Sequence, residues 1–150
     1  MRNLIIAGIF ALATQSAIGE NDNNIPPSQV NEKAVNHFNK SYNEIPDERW
    51  TRGEDCYRVS FEKESVKYII DYHLNGKWRN SIRIYDEQHL SSDIRETIKS
   101  GFIGSEITTV TELDFGKGLI YFIKIRQNEW NKTLQVVHGQ VTVVEEFKEI

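Results

Sequence analysis

Long stretches in which apolar and polar residues alternate restrict the fold of this 150-residue chain more than any other feature. Between residues 66 and 72 every second side chain is large and apolar, which is the period of a half-buried strand. Asn75-Gly76 follows and predicts a tight hairpin, because a type I′ turn needs positive φ at both central positions. A return strand is predicted near 78–86. His138-Gly139 lies between two further β-rich runs, 133–137 and 141–147, and predicts another hairpin.

Each group of strands is preceded by a stretch with helical spacing. The first helix is predicted near residues 29–43, with Ser28 as its N-cap. The second is predicted to start at Ser91 or Ser92 and to end at Gly101, a residue that suits a C-terminal cap. Four strand signals follow each helix: 48–52, 57–61, 66–72 and 78–86, and then 107–115, 119–126, 133–137 and 141–147.

The two halves correspond closely in spacing. Ser28 and Ser91 are 63 residues apart, as are Asn75 and His138 at the two turns. This agreement predicts a tandem duplication, with one repeat at 29–88 and a second at 89–150. The expected fold class is α+β, with two units of one helix and a four-stranded antiparallel sheet, and with the helices on one face. A unit of about 60 residues buries little core, so the halves should share one interior, and one continuous antiparallel sheet is one way to form it. Whether the two four-stranded sheets join is left open by the sequence.

The N-terminus has the features of a secretory signal. A short basic start precedes an apolar run from Leu4 to Ala13, and small residues at Ala17 and Gly19 suit a signal peptidase. The predicted signal peptide is 1–19, followed by a flexible leader at 20–28 and a folded domain at 29–150. Export to the periplasm or beyond is expected. The apolar run is too short to span a bilayer, so no stable membrane insertion is expected once the signal is removed.

Composition excludes several classes of function. The formal net charge is −4, which disfavours a partner with a phosphate backbone, so no nucleic acid is expected. Cys56 is the only cysteine, so no internal disulfide forms, and a thiolate zinc or redox site lacks partners. The four histidines have no HxH or HxxxH spacing, and no metal or other cofactor is predicted.

No catalytic residues are predicted, and the chain is not expected to be an enzyme. Carboxylate pairs such as Glu145 and Glu146 are adjacent on strands, where neighbouring side chains point to opposite faces and cannot act together. There is no Gly-x-Ser-x-Gly motif. Gly116-Lys117-Gly118 connects two strands, so it is interpreted as a hairpin turn and not as a phosphate loop.

One face of the sheet is predicted to be open and rich in arginine and aromatic residues, which is the composition of interface hot spots. The core face is predicted to carry Tyr57, Val59, Phe61, Tyr68, Ile70, Ile82, Ile84, Tyr121, Ile123 and Ile125. The open face is then predicted to carry Ile69 and Asp71 together with the candidate partner-binding residues Arg58, Lys67, Arg79, Arg83, Tyr85, Phe122, Lys124 and Arg126. Trp78 and Trp130, near strand connections, are further contact candidates, whereas Trp50 is expected in the core. A face that is simply hydrated is the alternative.

These motifs resemble the PepSY-like, β-lactamase-inhibitor-like family of small periplasmic proteins, which is common in Bacteroidetes. The resemblance covers about residues 30–150 and rests on Ala34, Phe38, Tyr42, Trp50, Tyr57-Arg58-Val59-Ser60-Phe61, Tyr72-His73-Leu74-Asn75-Gly76, Leu90-Ser91 and Tyr121-Phe122-Ile123-Lys124-Ile125. It implies two tandem helix-plus-four-strand repeats. Members often have Leu-Pro where this chain has Leu90-Ser91, and serine caps a helix equally well. Similar folds inhibit secreted hydrolases or guard peptidases.

The predicted function is therefore an exported binding module, an inhibitor or regulator of an envelope or secreted hydrolase. It would act by non-covalent binding of an unknown protein or peptide, such as an acidic loop, through the open face and the hairpin loops. A small-ligand or metal-responsive envelope sensor without catalysis is the alternative, and an uncharacterised hydrolase is a third.

Overall fold

The computed structural model describes residues 23–149, in which nine strands form one antiparallel sheet. The strands lie in the sheet in the order in which they occur in the chain. They are β1 Asn24–Ile25, β2 Arg49–Arg52, β3 Cys56–Lys63, β4 Val66–His73, β5 Trp78–Tyr85, β6 Glu106–Asp114, β7 Leu119–Gln127, β8 Trp130–Val137 and β9 Gln140–Lys148. Helix α1 (Glu32–Ser41) lies between β1 and β2 in the chain, and α2 (Ser92–Gly101) lies between β5 and β6.

The predicted division into two tandem helix-plus-four-strand repeats is wrong. Strands β5 and β6 pair directly, from Ser81 opposite Asp114 to Tyr85 opposite Val110, and this pairing makes one continuous sheet. Two separate four-stranded sheets would leave both of these strands with unpaired edges. Joining them satisfies the main-chain groups of both strands.

The N-terminal boundary also differs from expectation. Part of the segment 20–28, predicted as a flexible leader, is ordered: Asn24–Ile25 pairs with β2, and a 3₁₀ turn follows at Pro27–Gln29. Ser28 lies inside that turn and does not cap α1. Asn31 caps the helix, and its side chain accepts a hydrogen bond from the Lys33 amide at 3.0 Å. The predicted signal peptide, 1–19, lies outside the described residues.

Both helices pack on one face of the sheet, over two hydrophobic clusters. Ala34 and Phe38 of α1 cover a cluster centred on Trp50, Val59 and Tyr72. The cluster beneath α2 is built around Ile98 and contains Val66, Tyr85, Leu90, Ile107, Val110, Ile123, Ile125, Leu134 and Val136. Tyr68 packs against both clusters. No helix within residues 23–149 is long and apolar enough to cross a membrane.

The turn between β4 and β5 differs from the predicted type I′ turn. Of the two central residues only Gly76 has positive φ, +83°. The Gly76 amide donates to the His73 carbonyl at 2.8 Å, and the His73 amide donates to the Lys77 carbonyl at 2.8 Å. This is a three-residue loop, a type I turn followed by a glycine bulge. Compared with the predicted two-residue loop, this loop shifts the register of β5 by one residue at the turn, so Tyr72 lies opposite Trp78.

Gly76 and Gly139 provide a matched pair for a test of this packing. Their φ values are +83° and +77°, so alanine at either site costs about 1–2 kcal/mol of backbone strain. A Cβ on Gly76 would also meet Asn31 Oδ1 at 2.5 Å and Lys33 Cβ at 2.7 Å, whereas Gly139 has open space around it. Displacing the Asn31 cap adds about 1 kcal/mol.

We therefore expect Gly76→Ala to lower the free energy of unfolding in urea by about 2–3 kcal/mol, and Gly139→Ala by about 1–2 kcal/mol. Equal losses for the two variants would contradict the close packing of the β4–β5 turn against the start of α1.

Candidate binding face of the sheet

Strand β5 presents the opposite faces to those predicted. Tyr68 lies opposite Arg83, and Tyr85 lies opposite Val110, so Arg83 and Tyr85 are on the helix side of the sheet. Ile82 and Ile84 are on the open side. The prediction that placed these two isoleucines in the core, and Arg83 and Tyr85 on the open face, is wrong.

The open face carries a group of apolar side chains, here called the apolar band. In the register of the sheet, Ile69, Ile82, Leu113, Ile120 and Val137 lie opposite one another in succession across β4 to β8. This row crosses five strands and therefore extends about 19 Å. A second, shorter row contains Ile84 and Phe122 with Thr111 between them. The apolar band is defined as Ile69, Ile82, Ile84, Leu113, Ile120, Phe122 and Val137.

No described helix or strand covers the apolar band, because both helices pack on the other face. None of its seven residues belongs to either hydrophobic cluster. Leu113 is shielded by its neighbours, and the other six side chains are half-buried. Contiguous apolar side chains on an uncovered sheet face are the kind of surface through which proteins associate.

A charged cluster borders the apolar band on β3, β4 and β5. Arg58 makes a bidentate contact with Asp71, at 2.7 Å from Nε and 3.0 Å from Nη2, and Asn80 donates to the same carboxylate at 3.3 Å. Asp71 is only 7% exposed. The hydrogen bond to Asp71 raises the pKa of Arg58 above its usual value. Because Arg58 and Asp71 neutralise each other, they form a rigid polar border to the apolar band in which neither of the two charges is left unpaired.

Four of the other predicted contact residues are on the open face. Lys67 lies opposite Ile84, at one end of the shorter row, and Phe122 is part of the apolar band. Lys124 is exposed on β7, opposite Thr133. Arg126 lies at the end of the same strand, where it binds Glu106 at 2.6 Å. The predicted grouping is therefore correct in position for these residues and for Arg58, while their binding role stays a prediction.

The remaining predicted contacts lie elsewhere. Arg79 occupies the bulge in β5 and binds Asp55 at 2.9 Å. Trp78 packs against the cluster beneath α1, and its indole nitrogen donates to Ser81 Oγ at 2.9 Å. Trp130 is the first residue of β8, at an end of the sheet, and is 41% exposed. The structure does not bring these three side chains into the apolar band.

Arg83 and Tyr85 instead form a polar site beneath the helices, centred on Glu112. This carboxylate is 8% exposed, receives a hydrogen bond from the Tyr85 hydroxyl at 2.7 Å and binds Arg83 at 3.0 Å. Burial and then the bond to Glu112 raise the pKa of Tyr85. Burial opposes the charge on Arg83, but the charge and hydrogen bond of Glu112 outweigh it and raise the pKa of Arg83. The site is a structural link between β5 and β6.

The described residues include potential metal ligands and nucleophiles. Within 23–149 there is no group of three His, Cys, Asp or Glu side chains that could hold a metal ion. Burial, followed by the charges of Asp71 and Asp55, raises the pKa of the Cys56 thiol, so this thiol is a poor nucleophile at neutral pH. His37 Nδ1 lies 3.0 Å from the buried Tyr72 hydroxyl and braces α1 against the sheet.

Sequence reasoning missed most of the apolar band: Ile82, Ile84, Leu113, Ile120 and Val137. A usable signal was present in β7, where all residues from Leu119 to Ile123 are apolar or aromatic, so that both faces of the strand carry such side chains. A strand that is apolar on both sides has two buried or interacting faces. The same reasoning applies to Ile69-Ile70 and Val136-Val137.

The fold, an antiparallel sheet with both helices on one face, is similar to that of solved structures from Bacteroides. Similar structures include a DUF2874 family protein from Bacteroides ovatus, with a TM-score of 0.60 and 17% identity over 79% of this chain and 87% of that one. A BLIP-like protein from Bacteroides fragilis has a TM-score of 0.60 and 14% identity over 83% and 87% of the two chains. A candidate periplasmic protein from Bacteroides eggerthii has a TM-score of 0.59 and 11% identity over 79% and 88%.

At these identities the comparison establishes the fold alone. No protein-family model matches the sequence, and no curated protein is significantly similar to it. The β-lactamase-inhibitor-like part of the predicted resemblance agrees with the structural neighbours, whereas the PepSY-like part is not confirmed.

Proposed function

We propose that the protein is an exported, non-catalytic binding module that holds a partner protein through the apolar band. The apolar band itself carries the proposal: seven apolar side chains on five neighbouring strands that no described element covers. Folding brings these residues to one face without using them in either hydrophobic cluster. Burying them against a partner would remove apolar area from water, which drives most protein association.

The composition of the face suits a protein partner. Phe122 supplies a large aromatic anchor near the middle of the face, and such anchors dominate binding energy when neighbouring contacts exclude water. The Arg58–Asp71–Asn80 cluster and Lys124 supply a polar border. An apolar centre with a polar rim is the usual anatomy of an interface.

Export and inhibition are the finer parts of the proposal. The predicted signal peptide and the likeness to a candidate periplasmic protein support an envelope or secreted location. The likeness to a BLIP-like protein supports inhibition by blocking a cleft on a hydrolase, a mechanism that needs no chemistry from this chain. Both follow from resemblance and are proposed together with the binding function.

The proposal is tested with Ile82→Asp/Phe122→Asp, which places two charges in the apolar band. A partner is captured by cross-linking in cell-envelope extract, purified, and titrated against each protein. Loss of two anchor contacts should weaken binding by about 100-fold or more. The matched control is Phe115→Ser/Leu119→Ser, because these side chains are 45% and 40% exposed and lie outside the apolar band.

We expect the control to bind within about threefold of the wild type, since isolated exposed apolar residues contribute little. Far-ultraviolet circular dichroism should show that all three proteins are folded. If the charged variant retains full affinity while the control loses it, the apolar band is not the binding surface.

A further inference from the structure

The two edges of the sheet differ sharply. The first edge is β1, which has two residues, Asn24–Ile25. The last is β9, which has nine residues, Gln140–Lys148, and pairs only with β8 within the described chain. Its outer main-chain groups are therefore free to pair with another strand. A long free edge of this kind is a template for strand addition.

A bulge divides this edge into two unlike halves. Leu134 lies opposite Val143, but Thr133 lies opposite Glu145, so Val144 is the extra residue. Beyond the bulge, residues 145–148 include Glu145, Glu146 and Lys148, which are the kinds of residue that protect an edge from pairing. Before it, Gln140–Val143 is uncharged, and three of its four residues are β-branched. Only this first half has the composition of a pairing strand.

The turn before β9 fixes which main-chain groups point outwards. His138 and Gly139 have φ of +50° and +77°, as a two-residue type I′ turn requires. In such a turn the Gln140 amide bonds back to the Val137 carbonyl. Main-chain groups alternate in direction along a strand, so those of Thr142 also point towards β8, and those of Val141 and Val143 point outwards.

We propose that the first half of β9 pairs with the same segment of a second copy of the chain, antiparallel and about a two-fold axis at Thr142. Val141 of each copy then lies opposite Val143 of the other, and these are the residues whose main-chain groups face outwards. Thr142 lies opposite itself. Four main-chain hydrogen bonds form, and the bulge ends the pairing on each side.

The side chains agree with this register. Val141 and Val143 lie on the helix side, opposite Val136 and Leu134 of the cluster beneath α2. Val143 is nevertheless 43% exposed, because it lies on the edge strand of the sheet. In the paired copies Val141 and Val143 cover each other and extend the apolar layer across the junction. Beyond the paired segment His138 lies opposite Glu146, so no like charges face each other.

The dimer should be weak, since the segment is short and the area buried is below that of standard interfaces. A two-fold axis perpendicular to the sheet keeps the open faces of both copies on one side. The apolar bands of the two copies would then lie on the same side of the joined sheet, separated by the two β9 strands, with the two Val137 side chains nearest the junction. This inference does not rest on the proposed function, because β9 contributes no residue to the apolar band.

The test is sedimentation equilibrium of the purified protein from about 10 μM to 1 mM, with Thr142→Lys and Thr142→Val. The wild type should dimerise with increasing concentration. Two lysines directly opposed at the axis should weaken the dimer by about fivefold. Valine keeps a β-branched residue at this exposed site, so Thr142→Val should dimerise as the wild type does.

The register is tested by oxidation in a Cys56→Ser background. Residues paired across an antiparallel junction have Cα atoms about 4.5–5.5 Å apart, a distance that a disulfide can bridge. Thr142→Cys should form a covalent dimer, and Glu146→Cys should not. A wild type that stays monomeric to 1 mM, a Thr142→Lys variant that dimerises equally well, or preferential cross-linking of Glu146→Cys would each overturn the proposal.

Discussion

Replacing Trp50 by alanine should lower the free energy of unfolding by about 3–5 kcal/mol, the range for removal of a large buried aromatic side chain. Trp50 is 2% exposed. Its ring meets Phe38 of α1 edge-on at 5.5 Å and lies 5.9 Å from the ring of Tyr72. It therefore joins β2, β4 and α1, and a cavity at this position cannot be filled by one neighbour alone. Urea denaturation followed by circular dichroism measures the loss.

Trp130→Ala is the matched control for Trp50→Ala. The same atoms are removed, but Trp130 is 41% exposed and lies opposite Gln127 and Lys148 at the end of the sheet. Its loss should cost about 1 kcal/mol or less, as for other surface substitutions. A loss at Trp130 as large as that at Trp50 would contradict the position of the core beneath α1.

Glu112→Ala should destabilise the protein by about 3 kcal/mol, because it leaves the buried Tyr85 hydroxyl and the partly exposed Arg83 guanidinium without a partner. The Tyr85 hydroxyl loses its acceptor at 2.7 Å, and Tyr85 is 5% exposed. Arg83 loses its counter-ion at 3.0 Å. Its side chain is still 37% exposed, so water compensates part of the loss, and the expected value is at the lower end of the range for buried pairs.

Glu106→Ala is the control for Glu112→Ala, on the same strand and also paired with an arginine. Glu106 and Arg126 are 62% and 51% exposed, so breaking this surface pair should cost about 0–1 kcal/mol. The double variant Arg83→Met/Glu112→Leu should recover only the part of the Glu112→Ala loss that comes from Arg83, since apolar residues can replace the ion pair but the Tyr85 hydroxyl still lacks its acceptor. Equal effects at Glu106 and Glu112 would show that the pair beneath the helices has no special role.

The positions of the helices and strands could be predicted from local patterns. Ile94 and Ile98 recur at helical spacing in α2, and Ser91 is its N-cap as predicted. Gly101, predicted as the C-terminal cap, is instead the last residue of the helix, and Phe102 is the cap. Period-two alternation located β3, β4 and β7. These signals are local because each depends only on residues a few positions apart in the chain.

The pairing of β5 with β6 could not be predicted, because it depends on residues about 30 positions apart. Nothing near Arg83 indicates Glu112, yet Arg83 pairs with this carboxylate on the helix side, while Ile82 and Ile84 lie on the open side. The pattern of apolar side chains alone favours placing Ile82 and Ile84 in the core. The apolar band could not be predicted for the same reason, because its residues become neighbours only through the register of five paired strands.

The central claim, that the apolar band holds the partner, is tested most directly by isoleucine-methyl NMR of the protein titrated with its captured partner. Isoleucines lie on both sides of the sheet, so the spectrum reports each face separately. Ile69, Ile82, Ile84 and Ile120 are in the apolar band, and Ile70, Ile98, Ile123 and Ile125 are in the clusters beneath the helices. We predict that the first four methyl signals shift on binding and the last four stay in place. Shifts confined to the helix-side isoleucines would contradict the claim.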